Sequence, residues 1–379
     1  MQPLYLDHAA ATPLEPAVLE AMQPFFVEKF YNPSALYLAA QDVAQHVTRA
    51  REEVAQFLGC RPIELVFTAG GTEANNLAIH GVMKAFPGKH AVVSAIEHDS
   101  VLEPMTQYPH AKAPVSAEGL VDLRQLEKAI NDETVLVSVM YANNEIGTIQ
   151  PIKDIARVVE RIRLNRKQQG NTLPLYLHTD AAQATNYLDI HVSRLGVDLK
   201  TLNGGKVYGP KQSGALYIKS GTKLESIMQG GGQERRLRSG TENVAQIAGF
   251  AAAVRLAVEL QGQEVLRLHA LQQAAFDALL MRLPDCRING SLKRRLPNNL
   301  HITLPGQDNE RVIMLLDEHG IQAAAGSACS ASKETSSHVL LALGMSDDDA
   351  RSSLRFTMGR QTTAADINHL VDVLVAIAS

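Results

Sequence analysis

A chain of 379 residues, at the usual ~150 residues per domain, has room for two domains or for one large domain with an appendage. With 45% hydrophobic and 20% charged residues, 26 Gly and 16 Pro, its composition is that of an ordinary globular protein and excludes a disordered, collagen-like or coiled-coil chain. Lys plus Arg at 36 against Asp plus Glu at 40 gives a formal net charge of −4, too balanced to recruit nucleic acid or an anionic membrane by overall charge.

The three cysteines, Cys60, Cys286 and Cys329, have no C-x-x-C spacing, so neither a disulfide framework nor a four-ligand zinc site can be written, and no metal is expected. The N-terminal run Met1 to His8 has no basic segment leading into an apolar one, and no later stretch reaches ~18 uninterrupted apolar residues. A reducing, cytoplasmic setting without a membrane span is the expectation.

Between about residues 60 and 220, short β-branched apolar runs alternate with longer segments of helical period, the pattern of βαβ units and a mostly parallel sheet. Residues 65–68, 91–95, 135–141, 173–179, 199–202 and 215–218 read as strands; 73–85, 100–107, 123–130 and 152–167 read as helices. The last helix closes with Arg161, Arg163, Arg166 and Lys167, cations at the end where the helix dipole favours them. With no aromatic residues interleaved, that cluster reads as structural rather than as a nucleic-acid patch. Beyond Thr241 come two long helical patterns, 242–260 and 265–283, with a turn expected around Gly262. A smaller α+β unit comes after them: strand 299–304, helix 309–319 stopped by Gly320, a strand around 355–358, and a final helix opened by a capping box from Thr363 to Asp366.

In parallel α/β sheets, ligands bind beyond the carboxyl ends of the strands, where loops converge and helix N-termini point inward. Just past the predicted strands stand Gly70-Gly71-Thr72-Glu73, Glu97-His98, Asn143-Asn144-Glu145, Asp180 with Gln183, and Asn203-Gly204-Gly205-Lys206. The glycine pair and Thr72 ahead of a helix can cradle a phosphate, although the same residues also make a tight strand-to-helix turn and lack the lysine of a P-loop. Lys206 taken alone reads as a solvated lysine, and Asp180 as the N-cap of a helix starting at Ala181. Together, a phosphate cup, an acid after one strand, a lysine after the next and a histidine at a neighbouring strand end are the parts that hold pyridoxal 5′-phosphate (PLP) as a Schiff base.

The sequence resembles the cysteine desulfurases, PLP-dependent enzymes of the class V aminotransferase type. The resemblance is carried, in order along the chain, by Tyr5-Leu6-Asp7-His8-Ala9-Ala10-Ala11-Thr12-Pro13, Asn32-Pro33-Ser34, Thr72-Glu73-Ala74-Asn75-Asn76, Glu97-His98, Asn143-Asn144-Glu145-Ile146-Gly147 and His178-Thr179-Asp180-Ala181-Ala182-Gln183. It continues through Lys206-Val207-Tyr208-Gly209-Pro210-Lys211, Arg238-Ser239-Gly240-Thr241, Gly326-Ser327-Ala328-Cys329-Ser330 and Ser353-Leu354-Arg355-Phe356. It implies an α/β architecture of PLP fold type I: a large domain, 16–258, with a mostly parallel sheet flanked by helices, and a smaller α+β domain made of 1–15 and 259–379 that carries the active-site cysteine.

The resemblance also implies the roles. Lys206 would be the Schiff-base lysine, Asp180 the partner of the pyridine nitrogen, Gln183 the donor to the cofactor's phenolate oxygen, and His98 the ring-stacking acid–base group. Gly71, Thr72, Asn203 and Gly205 would surround the phosphate, with Thr241 reaching it from a second subunit, so that a homodimer shares its sites. Asn32, Asn144 and Arg355 would hold the substrate, Asn144 touching the cofactor as well and Arg355 making bidentate contact with the substrate carboxylate. Cys329 would take sulfur from L-cysteine as a persulfide, leaving L-alanine. Its run of small residues, 323–332, resembles the group I, iron–sulfur-cluster type, which hands sulfur to an acceptor protein such as a cluster scaffold or a tRNA-thiolation protein. Cys60 and Cys286 read as structural.

Three departures stand out. Asn203-Gly204-Gly205 replaces the family's Ser, small residue and His before the lysine; Tyr37 stands where a His is usual; and 164–174 is longer than typical. The alternatives are a selenocysteine lyase, a cysteine sulfinate desulfinase, or a carrier protein that has lost PLP.

Overall fold

The structure is a computed structural model that describes residues 3–326 and 336–378. In chain order its strands are β1 (Leu4–Tyr5), β2 (Leu65–Thr68), β3 (His90–Ser94), β4 (His110–Ala113), β5 (Thr134–Ser138), β6 (Tyr176–Asp180), β7 (Leu199–Asn203), β8 (Gly214–Ile218), β9 (Arg287–Ile288), β10 (Asn299–Thr303), β11 (Ile321–Gln322) and β12 (Ser353–Thr357). Seven of them form one sheet in the order β2-β8-β7-β6-β5-β3-β4. The neighbours from β7 to β4 are all parallel, whereas β8 runs antiparallel to both β2 and β7.

Both faces of this sheet are covered, which is why its strands are continuous apolar runs. Side chains alternate between the faces. Val92 points into the core that holds Val43, Ile155 and Phe250, while Ala91 and Val93 point into the one that holds Leu77, Ile79 and Val82. The edge strand β4 has no counterpart among the predicted strands because His110 and Lys112 interrupt its apolar pattern.

A second sheet, β12-β10-β9, is antiparallel, and β1 pairs in parallel with β11, so the N-terminus is built into the C-terminal unit. Leu6, Leu300, Ile302, Leu354 and Phe356 share that unit's core. The expected turn at Gly262 is absent: a single helix runs from Val244 to Arg282. A glycine costs a helix only about 1 kcal/mol relative to alanine. Packing at both ends outweighs that cost, since Val244, Ile247 and Phe250 lie in the core of the large sheet and Leu268, Phe276 and Leu279 in the core of the small one. Core packing also accounts for the apolar character of this helix, which by length and composition alone could cross a membrane. The proposed boundary at 258/259 therefore falls inside a continuous helix.

The basic cluster ties its helix down as expected. Arg161 pairs with Glu127 at 2.6 Å, Arg163 with Asp198, and the buried Arg166 donates to the Asn131 carbonyl. The capping box is reciprocal: Thr363 N–H donates to Asp366 Oδ2 at 2.8 Å, and Asp366 N–H to Thr363 Oγ1 at 3.3 Å. Asp180 does cap, through Ala182 N–H at 2.8 Å, but the residues after it form a series of turns and not the expected helix.

Candidate active site

The carboxyl ends of β2, β3, β5, β6 and β7 converge with β12 on a cavity of about 160 Å³. Gly71, Thr72, His98, Asn144, Asp180, Gln183, Asn203, Lys206 and Arg355 all line it. Gly205, Thr241 and Asn32 do not. Gly205 lacks a side chain to send there, and Thr241 and Asn32 are exposed elsewhere on the same chain, Thr241 in a second cavity with Thr68 and Arg238. Tyr37 is exposed as well. Cys329 lies outside the described residues.

At one end of the cavity, β2 turns into the Gly71–Ala85 helix through Gly70, whose φ of 127° only glycine adopts easily. Among the described residues no side chain caps this helix, so its first N–H groups are available to an anion. Glu73, which could have competed, is turned away: it pairs with Arg238 at 2.8 Å and accepts the Ala69 N–H at 2.9 Å. Asn203 accepts the Gly205 N–H on Oδ1 at 3.0 Å, which leaves Nδ2 as its outward donor, and a Cβ added at Gly71 would sit 3.1 Å from that nitrogen. The departure at Asn203 thus keeps a donor beside the anion cup.

At the other end, Asp180 is held by two neutral donors, Asn75 Nδ2 at 2.7 Å and Ala182 N–H at 2.8 Å, which satisfy the carboxylate without cancelling its charge. His98 caps the Asp99–Met105 helix by accepting the Ser100 N–H on Nδ1 at 3.0 Å. Lys206 Nζ donates to the Ala9 and Ala10 carbonyls, and Gln183 Nε2 to Ala9 O at 3.0 Å. Arg355, 1% exposed, pairs with Asp7 at 2.6 Å and reaches Asn144 O at 3.2 Å; its buried Nε has no partner among the described residues. Asn75, Ser100 and Asp7 are polar partners to which the sequence motifs assign no role. Each stands inside or beside a motif run, but no spacing in the sequence reveals what it touches.

Two buried groups lie close by. His178 sits between Ser138 Oγ and Thr201 Oγ1, and burial pulls its imidazole down to about 4. Glu97 accepts from Ser94 Oγ and Met140 N–H on one oxygen, and burial pushes its carboxyl up to about 8. An acid raised in the folded state keeps its proton while the unfolded chain loses it from about 4.5 upward, so stability falls as pH rises from there towards 8. Glu97→Gln removes this linkage. Its melting temperature relative to wild type is expected to be higher at pH 8 than at pH 5; an equal difference at both would show that Glu97 is ionised in the fold. The structural reading of the other cysteines fits as well: burial raises Cys60 to about 12 and Cys286 to about 11, which leaves almost no thiolate at neutral pH.

An ammonium, a carboxylate, an imidazole and a buried guanidinium around an open helix N-terminus fit PLP and an amino acid. The fold and this site define an α/β transferase of the PLP type. The chain matches the Aminotransferase class-V model over residues 4–370, and it belongs to that family, whose members generally use PLP. It is similar to the cysteine desulfurase IscS of Dictyoglomus turgidum, 41% identical over 381 residues, 99% of this chain and 94% of the relative. Among solved structures it resembles a NifS-like protein, with a TM-score of 0.90 at 31% identity over 99% of both chains. It also resembles SspA in complex with cysteine, with a TM-score of 0.80 at 34% identity over 94% of this chain and 98% of the other.

Proposed function

We propose that this protein is an L-cysteine desulfurase that binds PLP in the Lys206 pocket, moves sulfur from L-cysteine to Cys329 and releases L-alanine. The convergence of Lys206, Asp180, His98 and Arg355 on one cavity carries the reading. When bound, PLP supplies an electron sink for the pair left at the substrate's α-carbon.

The chain's own residues do the rest. The first N–H groups of the Gly71–Ala85 helix, the Thr72 hydroxyl and Asn203 Nδ2 would hold the PLP phosphate, and the Asp180 carboxylate would face its pyridine nitrogen. Arg355 binds the substrate carboxylate, its guanidinium paired with Asp7 at 2.6 Å. Lys206 gives up its two carbonyl contacts to work as base and nucleophile, and His98 exchanges protons through Nε2. In the transfer itself the substrate C–S bond breaks as an S–S bond forms to Cys329. Atoms balance, because one thiol and L-cysteine become one persulfide and L-alanine.

Chain connectivity supports Cys329 as the acceptor. The backbone of Ala324 exchanges both hydrogen bonds with Arg355. Cys329 is five residues further along the chain. Cys329→Ser is expected to keep PLP and cysteine binding but to lose alanine production by roughly 10³-fold or more, because a hydroxyl is a poor sulfur nucleophile at neutral pH. Labelled sulfur trapped on Cys60 or Cys286 instead would move the assignment.

The reading includes a homodimer in which Thr241 and Asn32 serve the partner's pocket. Its support is the exposed apolar surface of one short segment, with Phe26, Val27, Phe30, Leu36 and Leu38 between 57% and 90% exposed. The sulfur is destined for an acceptor protein, a cluster scaffold or a tRNA-thiolation protein. Gly205→His adds a phosphate donor where a Cβ meets nothing nearer than 3.5 Å. PLP is expected to bind roughly tenfold tighter in that variant by equilibrium titration; equal affinity would mean that Asn203 already compensates.

A further inference from the structure

Arg355 lines the cavity from β12 and is 1% exposed, so its charge needs a counter-ion close by. Among the described residues its ion-pair partner is Asp7, whose Oδ1 accepts from Nη2 at 2.6 Å; its other partner, the Asn144 carbonyl, is neutral. His301, opposite Arg355 across the β10–β12 pair, carries no charge either, since burial and the Arg295 and Arg355 cations pull its imidazole down to about 3. The Asp7 backbone is fixed in place. It bridges to Thr357, further along β12 from Arg355, and its carbonyl accepts from Tyr5 Oη at 2.9 Å and from the Ala10 N–H at 3.0 Å.

A guanidinium has five N–H groups, so one carboxylate does not exhaust it: besides the bonds to Asp7 and Asn144, Nη1 and Nη2 each keep a second hydrogen. A substrate carboxylate that uses them becomes the second anion on one cation, and the two carboxylates repel through a poorly screened interior. The resident acid thus has two opposed effects. It stabilises the buried guanidinium while the site is empty, and it weakens every carboxylate that arrives later. We infer that Asp7 sets the substrate affinity of the site: it is a built-in competitor that keeps the hold of Arg355 on the carboxylates of L-cysteine and L-alanine loose. The inference rests on the reading that Arg355 receives the substrate carboxylate, but its main test does not need the cofactor.

The test is thermal unfolding of the full-length chain freed of cofactor, in sodium propionate, a bare carboxylate, against sodium chloride at equal ionic strength. Asp7→Asn keeps an oxygen for Nη2 and removes only the charge. Its transition is expected to rise with propionate, with an apparent affinity about tenfold or more above that of wild type, because a ligand that binds the native state alone stabilises it. Asp7→Glu restores the charge and should respond as wild type does; adding Arg355→Gln to Asp7→Asn should abolish the response. Should Asp7→Asn fail to fold in chloride, propionate is expected to recover it. In reconstituted enzyme the same variant is expected to show a KM for L-cysteine about tenfold lower and inhibition by L-alanine tighter by the same factor, a gain in uniform binding. Equal propionate responses in wild type and Asp7→Asn, a response that survives Arg355→Gln, a raised KM, or a variant that propionate does not recover overturns the inference. Failure of wild type to form a saturable visible band with PLP would instead overturn the functional reading and leave the propionate result standing.

Discussion

Lys206→Ala is expected to abolish turnover, by ~10⁴-fold or more, because one side chain supplies both the nucleophile and the proton carrier. The fold should survive. Ala9 O keeps the Gln183 amide as a donor, while Ala10 O loses the Lys206 ammonium, a loss of about 1 kcal/mol. The measurement is alanine release from L-cysteine together with borohydride fixation of PLP to the chain. Both should disappear while the thermal unfolding transition stays within a few degrees. Normal activity in this variant would place the essential lysine elsewhere, with Lys211 the next to test, since it also lies close to Thr12 and the Gly204–Lys206 turn.

Asp180→Asn is the second large effect, a fall in kcat on the order of 10³-fold with PLP affinity within about tenfold. The reason is electrostatic and local at once. A neutral amide cannot hold the pyridine nitrogen protonated, and the new NH₂ must face either Asn75 Nδ2 or the Ala182 N–H, donor against donor. A wild-type rate of α-proton exchange in this variant would reduce Asp180 to the cap it also is.

Most of the cavity is legible in the sequence. Strand ends are recognisable because an apolar β-branched run stops where the chain leaves the core, and in a parallel sheet those stops share an edge. That logic places Gly71, His98, Asn144, Asp180 and Lys206 together. It cannot place Thr241 and Asn32, which a single chain leaves exposed and which the proposed dimer would bring in. The small-residue run bearing Cys329 is legible as composition only.

The sequence by itself determined whatever depends on near neighbours in the chain: the period of most strands and helices, the glycine at Gly70 and the Thr363 capping box. Tertiary structure decided the rest. The antiparallel direction of β8 and the continuity of the helix through Gly262 come from packing against distant elements, which outweighs local propensities of about 1 kcal/mol. The contacts that set the chemistry join residues far apart in the chain, Asp7 with Arg355, Asn75 with Asp180, Lys206 with Ala9. A side-chain hydrogen bond needs its partner within about 3 Å, and no pattern along the sequence encodes which distant group will be folded to that distance.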